Sequence, residues 1–253
     1  MHALVLGVGD AFTRRYFGSS ALIQGPDGYM LLDCPDLIHR ALFEATSRAG
    51  WTVEAAAIDD ILLTHLHGDH CNGLESFGFR HRIARQRQES TAHPTGGAPQ
   101  LHTSRPAANR VWERLAPAMD GAKAGGKPAR RLADFFDLSV LDPDSPAWVA
   151  GLRIECRFTN HPIPTIGLII SDGKSALGWS SDTSFDEAHI QWLSRADVIV
   201  HECGSEPPHT SVDMLNALPD KLRAKIRLIH IPDDFDPTTT DMRPLEQGEV
   251  LEL

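Results

Sequence analysis

No run of apolar residues in this 253-residue chain approaches the roughly 20 that a helix needs to cross a bilayer, so a helical membrane anchor is excluded. The opening MHALVLGVGD lacks a basic leader and a small-residue cleavage site, and it reads as a first strand entering a glycine turn. The expected location is the cytoplasm. Cysteine is sparse: Cys34, Cys71, Cys156 and Cys203 stand far apart, and no pair has the CxxC spacing of a zinc ribbon or a thioredoxin-type site. Positive charge is in deficit, 24 basic residues against 34 acidic ones, for a net −10. Such a surface repels a polyanionic backbone and, without a concentrated basic patch, argues against extensive wrapping by nucleic acid. There is no internal repeat. What is abundant is histidine, thirteen in all, several of them at the ends of apolar runs.

Short apolar runs rich in Val, Ile and Leu predict strands at about 2–7, 20–24, 28–33, 60–64, 99–103, 152–159, 165–171, 175–180, 197–201 and 226–230. Helical spacing predicts helices at about 36–49, 73–86, 105–119, 186–194 and 211–224, the first ending at Gly50. Strands come early and late with helices between, so two sheets face to face with helices outside are expected. Two Gly/Pro/Ala-rich stretches, 90–99 and 121–130, read as surface loops, either of which could lid a site. Because strands on both sides of them supply parts of one site, the chain is expected to form a single domain, 1–253.

The central signal is the strand Ile61-Leu62-Leu63 running into Thr64-His65-Leu66-His67-Gly68-Asp69-His70. Four ligand-capable side chains in six positions cannot all face one way on a regular strand or helix. They converge if the chain turns sharply, and Gly68 permits unusual backbone angles there. Imidazoles with a carboxylate suit zinc, manganese or iron. Further ligands must come from other strand ends, and three apolar runs finish on a candidate: His161, Asp182 and His230. Any one alone would more often be a loop residue or a core histidine; their joint occurrence behind HxHxDH carries the weight.

Thr64-His65-Leu66-His67-Gly68-Asp69-His70 resembles the signature of the metallo-β-lactamase superfamily. His161-Pro162-Ile163-Pro164-Thr165-Ile166-Gly167 is similar to the HxxPxxG motif of ribonuclease Z and related phosphodiesterases, and Ser180-Ser181-Asp182-Thr183 to their SGDT. His201-Glu202-Cys203 resembles their HEAT segment, and Leu31-Leu32-Asp33-Cys34 the acidic motif that braces the metal loop from behind. The resemblance implies an α/β fold, the four-layer αββα sandwich, with the site at one edge between the sheets. It also implies two divalent metal ions, zinc before manganese or iron. His65, His67 and His161 would surround one, Asp69, His70 and His230 the other, with Asp182 bridging.

Two such ions about 3.5–4 Å apart can share a water and lower its pKa toward neutrality. Asp69 is expected both to bind one metal and to orient that nucleophile. A proton for the leaving group remains to be found. In the resembled phosphodiesterases a histidine shortly after the HEAT segment supplies it, and here His209 paired with Glu202 fills that place. The rival reading makes His209 a surface residue capping the helix at 211–224, a part that Thr210 or Ser211 could take in any case. His2, His39, His81, His93, His102 and His189 have no matching partners and read as surface or loop residues; Cys71 and Cys203 read as packing. Arg14, Arg15 and Tyr16, near the expected cleft mouth, read as solvated loop residues, with contact to a substrate phosphate as the alternative.

Ribonuclease Z enzymes of bacteria carry a long arm between the HxxPxxG histidine and the SGDT aspartate. Here His161 and Asp182 are only 21 residues apart, with two strands and a turn at Asp172-Gly173 to fit between them. Together with the net charge this argues against tRNA. The leading expectation is hydrolysis of a small phosphodiester, cyclic phosphate or nucleotide, as in class II cyclic nucleotide phosphodiesterases. The alternatives are hydrolysis of a lactone, thioester or other carboxylic ester on the same metals, or a metal-stabilised sensor or scaffold without turnover. A homodimer stays open.

Overall fold

Alternation along the first strands divides the protein into layers. In the computed structural model, which describes residues 1–88, 97–205 and 207–253, β1 (His2–Gly7) sends Ala3 and Val5 into one apolar cluster and Leu4 and Leu6 into another. β2 (Ser20–Gly25) and β3 (Gly28–Leu32) divide in the same way: Ala21, Ile23, Met30 and Leu32 to one side, Leu22 and Leu31 to the other. A strand buried on both faces must lie in an inner layer, covered by a sheet on one side and helices on the other.

The outer cover of this sheet is α1 (Ile38–Ala49), which contributes Ile38, Ala41, Leu42 and Ala45. Beyond β4 (Asp60–Leu63) come the short α2 (Gly68–Cys71) and then α3 (Leu74–Gln88), which packs Leu74 and Phe77 on the same face. β5 (Gln100–Ser104), α4 (Arg105–Ala108), α5 (Val111–Met119) and β6 (Asp137–Leu141) complete this half. The second half holds β7 (Ala147–Val149), β8 (Leu152–Phe158), β9 (Ile166–Ser171), β10 (Ala176–Trp179), α6 (Glu187–Leu193) and β11 (Val198–Glu202). It ends with α7 (Val212–Asn216), α8 (Asp220–Arg223), β12 (Ile226–Ile229), β13 (Arg243–Pro244) and β14 (Val250–Glu252).

Two seven-stranded sheets result, in the orders β14-β1-β2-β3-β4-β5-β6 and β13-β12-β11-β10-β9-β8-β7. Ile154, Cys156, Ile166, Leu168 and Ile170 of the second sheet join Ala3, Val5, Ile23 and Leu32 of the first in one cluster between the layers. Outside the second sheet α6 adds Ile190 and Leu193. It approaches so closely at Gly167 that a Cβ there would stand 2.4 Å from His189 Cε1.

Strand direction is what positions the site. β3, β4, β5 and β6 pair in parallel, and so do β10, β11, β12 and β13. β8 and β10 are each antiparallel to β9 and therefore run the same way. The segments after β3, β4, β8, β10, β11 and β12 consequently lie at the carboxyl edges of the sheets, where open α/β folds bind their ligands.

All ten expected strands are present. The pattern missed β6, β7, β13 and β14, which are outermost or short strands; Asp137 and Leu138 of β6 are exposed, so that strand shows little alternation. The helix expected at 105–119 breaks at Arg110, whose φ of −120° is not helical. The one expected at 211–224 is interrupted before Pro219, which opens α8. The 121–130 loop returns to the end of α5, where Ala129 and Arg130 N–H both donate to the Asp120 carbonyl at 2.9 Å. Most of 90–99 lies outside the described residues, as does His93.

Three histidines expected at the surface are buried. His81 bonds the Ala55 carbonyl at 2.7 Å, His102 pairs with Asp60 at 2.7 Å, and His189 bonds the Ser180 carbonyl and stacks on Trp192. Isolated histidines carry no sequence signal for such partners. Burial pushes His81 and His189 down to about 4. Both titrate near 6.5 when unfolded, so the unfolded chain takes up their protons first as pH falls. Their stabilisation is complete above about 6.5 and is lost between there and about 4. Urea midpoints should fall over that window, and H81Q should flatten the dependence by up to about 1.4 kcal/mol per pH unit. An unchanged slope in H81Q would remove His81 from this account.

Candidate metal centre

β4 is buried along Ile61, Leu62 and Leu63 and leads into Thr64 and His65, both inaccessible to solvent. His67 keeps an extended backbone (φ −68°, ψ 152°) and immediately precedes α2, whose single turn carries Asp69 and His70. Gly68 does not take the unusual angles the sequence suggested: it is the first residue of an ordinary helical turn and has no positive φ. Its smallness answers a space requirement instead, because a Cβ would meet Asn72 Nδ2 at 2.8 Å and Arg114 Nη2 at 3.3 Å. The backbone bends fall elsewhere. Of the five non-glycine residues with positive φ among those described, three are Asp33, Ser181 and His230 at strand ends of the site. Each such angle costs on the order of 1 kcal/mol or more, and in each case the bend aims a side chain at the site or turns the chain beside one that is.

Asp33, buried behind the loop, accepts from Thr64 N–H (2.8 Å), Thr64 Oγ1 (2.9 Å) and His70 Nδ1 (2.8 Å). Thr64 Oγ1 in turn lies 2.9 Å from His65 Nδ1. A relay follows in which His65 Nδ1–H donates to the Thr64 hydroxyl, and that hydroxyl and His70 Nδ1–H donate to Asp33. His65, neutral because it is buried, is thereby left with an unprotonated Nε2 as an available lone pair, while His70, held protonated by the flanking carboxylates, has only its Nε2 proton to lose to offer the same atom. Those two Nε2 atoms are buried and lack a hydrogen-bond partner. Orphaned imidazole nitrogens aimed at buried carboxylates are what a divalent cation would satisfy.

Two groups of donors converge. His65, His67, His161 and Asp182 form one, Asp69, His70, Asp182 and His230 the other, and within each group the ligand-capable atoms all lie within 4.8 Å of one another. His161 Nε2 is 3.0 Å from His67 Nδ1, and His230 Nε2 is 3.2 Å from Asp69 Oδ2. Asp182 belongs to both groups. Every residue singled out in the sequence as a ligand is thus brought to one place, and the donor set fits a pair of divalent ions.

The electrostatics split the histidines. Burial, reinforced by His70, pushes His65 down to about 3, and burial pushes His161 down to about 4, so both are neutral and ready to coordinate. Burial also opposes charge on His230, but Asp182 and Asp69 outweigh it and raise the ring to about 9. Asp69 is desolvated too, yet the hydrogen bond from His230 and the nearby charge of His70 keep its carboxylate well below the usual range.

His209 does not cap a helix. Ser211 takes that position, its hydroxyl accepting from Met214 N–H, and the Thr210 hydroxyl donates to the Thr183 carbonyl. His209 Nδ1 instead lies 3.0 Å from Glu202 Oε1, and its ring stacks on His230 with centroids 5.0 Å apart. Burial works against the imidazolium, but Glu202 overcomes it and raises His209 above its ordinary value. Sequence reasoning missed the hydroxyl braces. Thr159 Oγ1 donates to the Asp182 carbonyl at 2.7 Å, and Ser180 Oγ accepts from Glu202 N–H at 2.9 Å. Thr64 stood inside the quoted motif without an assigned part. Arg14 and Arg15 are exposed, and they bond Asp233. All four cysteines are buried free thiols, consistent with packing.

Asp33→Asn removes the charge that orders the relay, and it should weaken divalent-metal affinity about 10- to 100-fold. Chelator competition measures this; affinity within twofold of the parent would deny Asp33 its bracing part.

Comparison with known proteins places this geometry. The metallo-β-lactamase fold protein YhfI from Bacillus subtilis superposes with a TM-score of 0.76 at 18% identity, covering 99% of this chain and 98% of that one. Human tRNase Z, short form, superposes at 0.67 with 17% identity over 100% and 99% of the two chains. The expected αββα metallo-β-lactamase fold is therefore the observed one. In sequence, the anti-Pycsar protein Apyc1 of Paenibacillus sp. (strain J14) is 31% identical over 261 residues, spanning 98% of both proteins. The family model for anti-Pycsar protein Apyc1 matches residues 1–250, and the chain belongs to that family.

Proposed function

We propose that this protein is a metal-dependent phosphodiesterase acting on small phosphodiesters, cyclic phosphates and nucleotides among them. The observation that carries the reading is His209, held by Glu202 at 3.0 Å and stacked on His230 at the lip of the two donor groups. Two divalent ions, zinc before manganese or iron, would be held by His65, His67 and His161 and by Asp69, His70 and His230 with Asp182 between them, and would supply Lewis acidity and a lowered water pKa.

The chain's own side chains do the rest. Asp69, ionised in spite of its burial, accepts a hydrogen bond from the attacking water and orients it. As the water oxygen bonds to phosphorus, the bond from phosphorus to the ester oxygen breaks. That leaving oxygen needs a proton. With Nδ1–H committed to Glu202, the His209 imidazolium gives up the proton on Nε2. Glu202 is itself fixed by Thr183 N–H, which donates to the same Oε1 at 2.6 Å, so the donor cannot swing away.

Small substrates are supported by the connection between His161 and Asp182. β9 and β10 fill it, joined by a tight turn in which Asp172 accepts from Lys174 and Ser175 N–H, and Gly173 takes a φ of 86°. No arm for tRNA emerges there. The net charge of −10 also opposes a long polyanion.

Turnover of bis(p-nitrophenyl) phosphate should vanish on chelation and return with zinc or manganese, while lactone and thioester panels stay silent. His209→Ala, with metal content unchanged, should lower kcat about 10²- to 10⁴-fold on a 3′,5′-cyclic nucleotide, whose alkoxide must be protonated. The loss should be far smaller with p-nitrophenolate, which leaves without a proton. Equal losses on both substrates would deny His209 the acid's part, and ester turnover without phosphodiester turnover would replace this reading altogether.

A further inference from the structure

The two oxygens of the Glu202 carboxylate are unequally used. Oε1 accepts twice, from Thr183 N–H at 2.6 Å and from His209 Nδ1–H at 3.0 Å. Oε2 is buried and has no hydrogen-bond partner, on a residue that is only 1% exposed. A desolvated carboxylate oxygen without a donor is costly, and a water or a cation beside it relieves that cost. His230 shows the same imbalance. Its Nε2 faces Asp69 at 3.2 Å, while its Nδ1 is buried and unpartnered.

Glu202, His209 and His230 each offer a ligand-capable atom within 4.8 Å of the other two, a further group of donors next to the two already described. Two imidazoles and a glutamate can hold zinc with a fourth position left to water. The spacing agrees: atoms about 2.0–2.1 Å from one tetrahedral ion stand about 3.3 Å apart, and His209 Nδ1 is 3.0 Å from Glu202 Oε1. Gly204 keeps the space beside them, since a Cβ there would stand 2.4 Å from His209 Cβ and 3.5 Å from Glu202 Oε2. An ion can enter past His209, which is only partly buried, while its two companions are enclosed. This group has a single carboxylate and borrows His230 from its neighbour, and cations in the neighbouring groups repel another one. Its affinity is therefore the lowest of the three.

We propose that Glu202, His209 and His230 form a third, weaker divalent-cation site, filled when metal is in excess, in which the ion replaces the proton between Glu202 and His209. The site stands on these contacts alone; its effect on turnover rests on the phosphodiester reading above. A His209 ring bonded to a cation at Nδ1 carries one proton, on Nε2. Releasing it to a leaving alkoxide would produce an imidazolate in place of a neutral imidazole. Occupation thus stops proton donation and leaves Asp69 free to orient the water.

Equilibrium dialysis against rising free zinc, read by metal analysis, should show two tight equivalents and a third bound at least about tenfold more weakly. Glu202→Gln and His209→Ala should each keep the first two, which also reports that the variant is folded, and lose the third. No third equivalent up to about 1 mM free zinc, or a third that persists in both variants, overturns the proposal. Zinc over the range that fills the third site should slow 3′,5′-cyclic nucleotide turnover about tenfold or more, and bis(p-nitrophenyl) phosphate turnover less than about twofold. Cyclic nucleotide turnover indifferent to the third equivalent overturns the inhibitory part. No turnover of either substrate at any zinc level would refute the phosphodiester reading, and the dialysis would still decide the site.

Discussion

The Asp182 carboxylate is buried where the strand ends of the two sheets meet, with one oxygen 3.5 Å from His65, 3.8 Å from His161 and 3.7 Å from His230 and the other 3.3 Å from His70. A lone carboxylate there would be costly to desolvate. The surrounding imidazoles reverse that preference and hold it well below the usual carboxylate range. The same charge keeps His70 and His230 on the protonated side, while burial leaves His65 and His161 neutral. Each of these side chains is therefore tolerable in the interior only because the others are present. Metal binding to such a group proceeds with loss of the protons it holds.

Much of this was legible in the sequence for a definite reason. Parallel strands bring their carboxyl ends to common edges, so an apolar run followed by a histidine or aspartate fixes both an element and a location. His65, His161, Asp182 and His230 follow that grammar, with His67, Asp69 and His70 in the turn behind His65, whereas Asp33 and Glu202 came to notice through the resemblance of their segments to known motifs. His209 lies on a connection, and only the similarity of the neighbouring Glu202 segment to a known motif pointed to it. What the pattern could not convey is partnership. Buried His81, His102 and His189 looked like surface or loop residues because the atoms that satisfy them come from other elements of the fold. Gly68 taught the same lesson about backbone: the sequence cannot say whether a glycine is chosen for its angles or for its lack of volume, and here Asn72 and Arg114 decide for volume.

The outermost strands escaped notice for a related reason. β6 and β14 at the rims of the first sheet, and β7 and β13 at those of the second, are half-exposed or very short, and their existence depends on a neighbour offering unpaired backbone groups. That is a tertiary cause, invisible to hydrophobic periodicity.

The division of the donors between the layers has a mechanical side. Asp33 and the segment from His65 to His70 hang from the first sheet; His161, Asp182, Glu202, His209 and His230 hang from the second. The apolar filling between the layers, roughly 10 Å thick in sandwiches of this kind, helps to gauge how far apart these two sets of hands are held. Residues such as Leu32, Leu62 and Leu168, whose side chains lie in the apolar cluster between the layers, thus act as spacers. Substitutions that thin or thicken that filling would retune the grip at the rim without touching a single ligand.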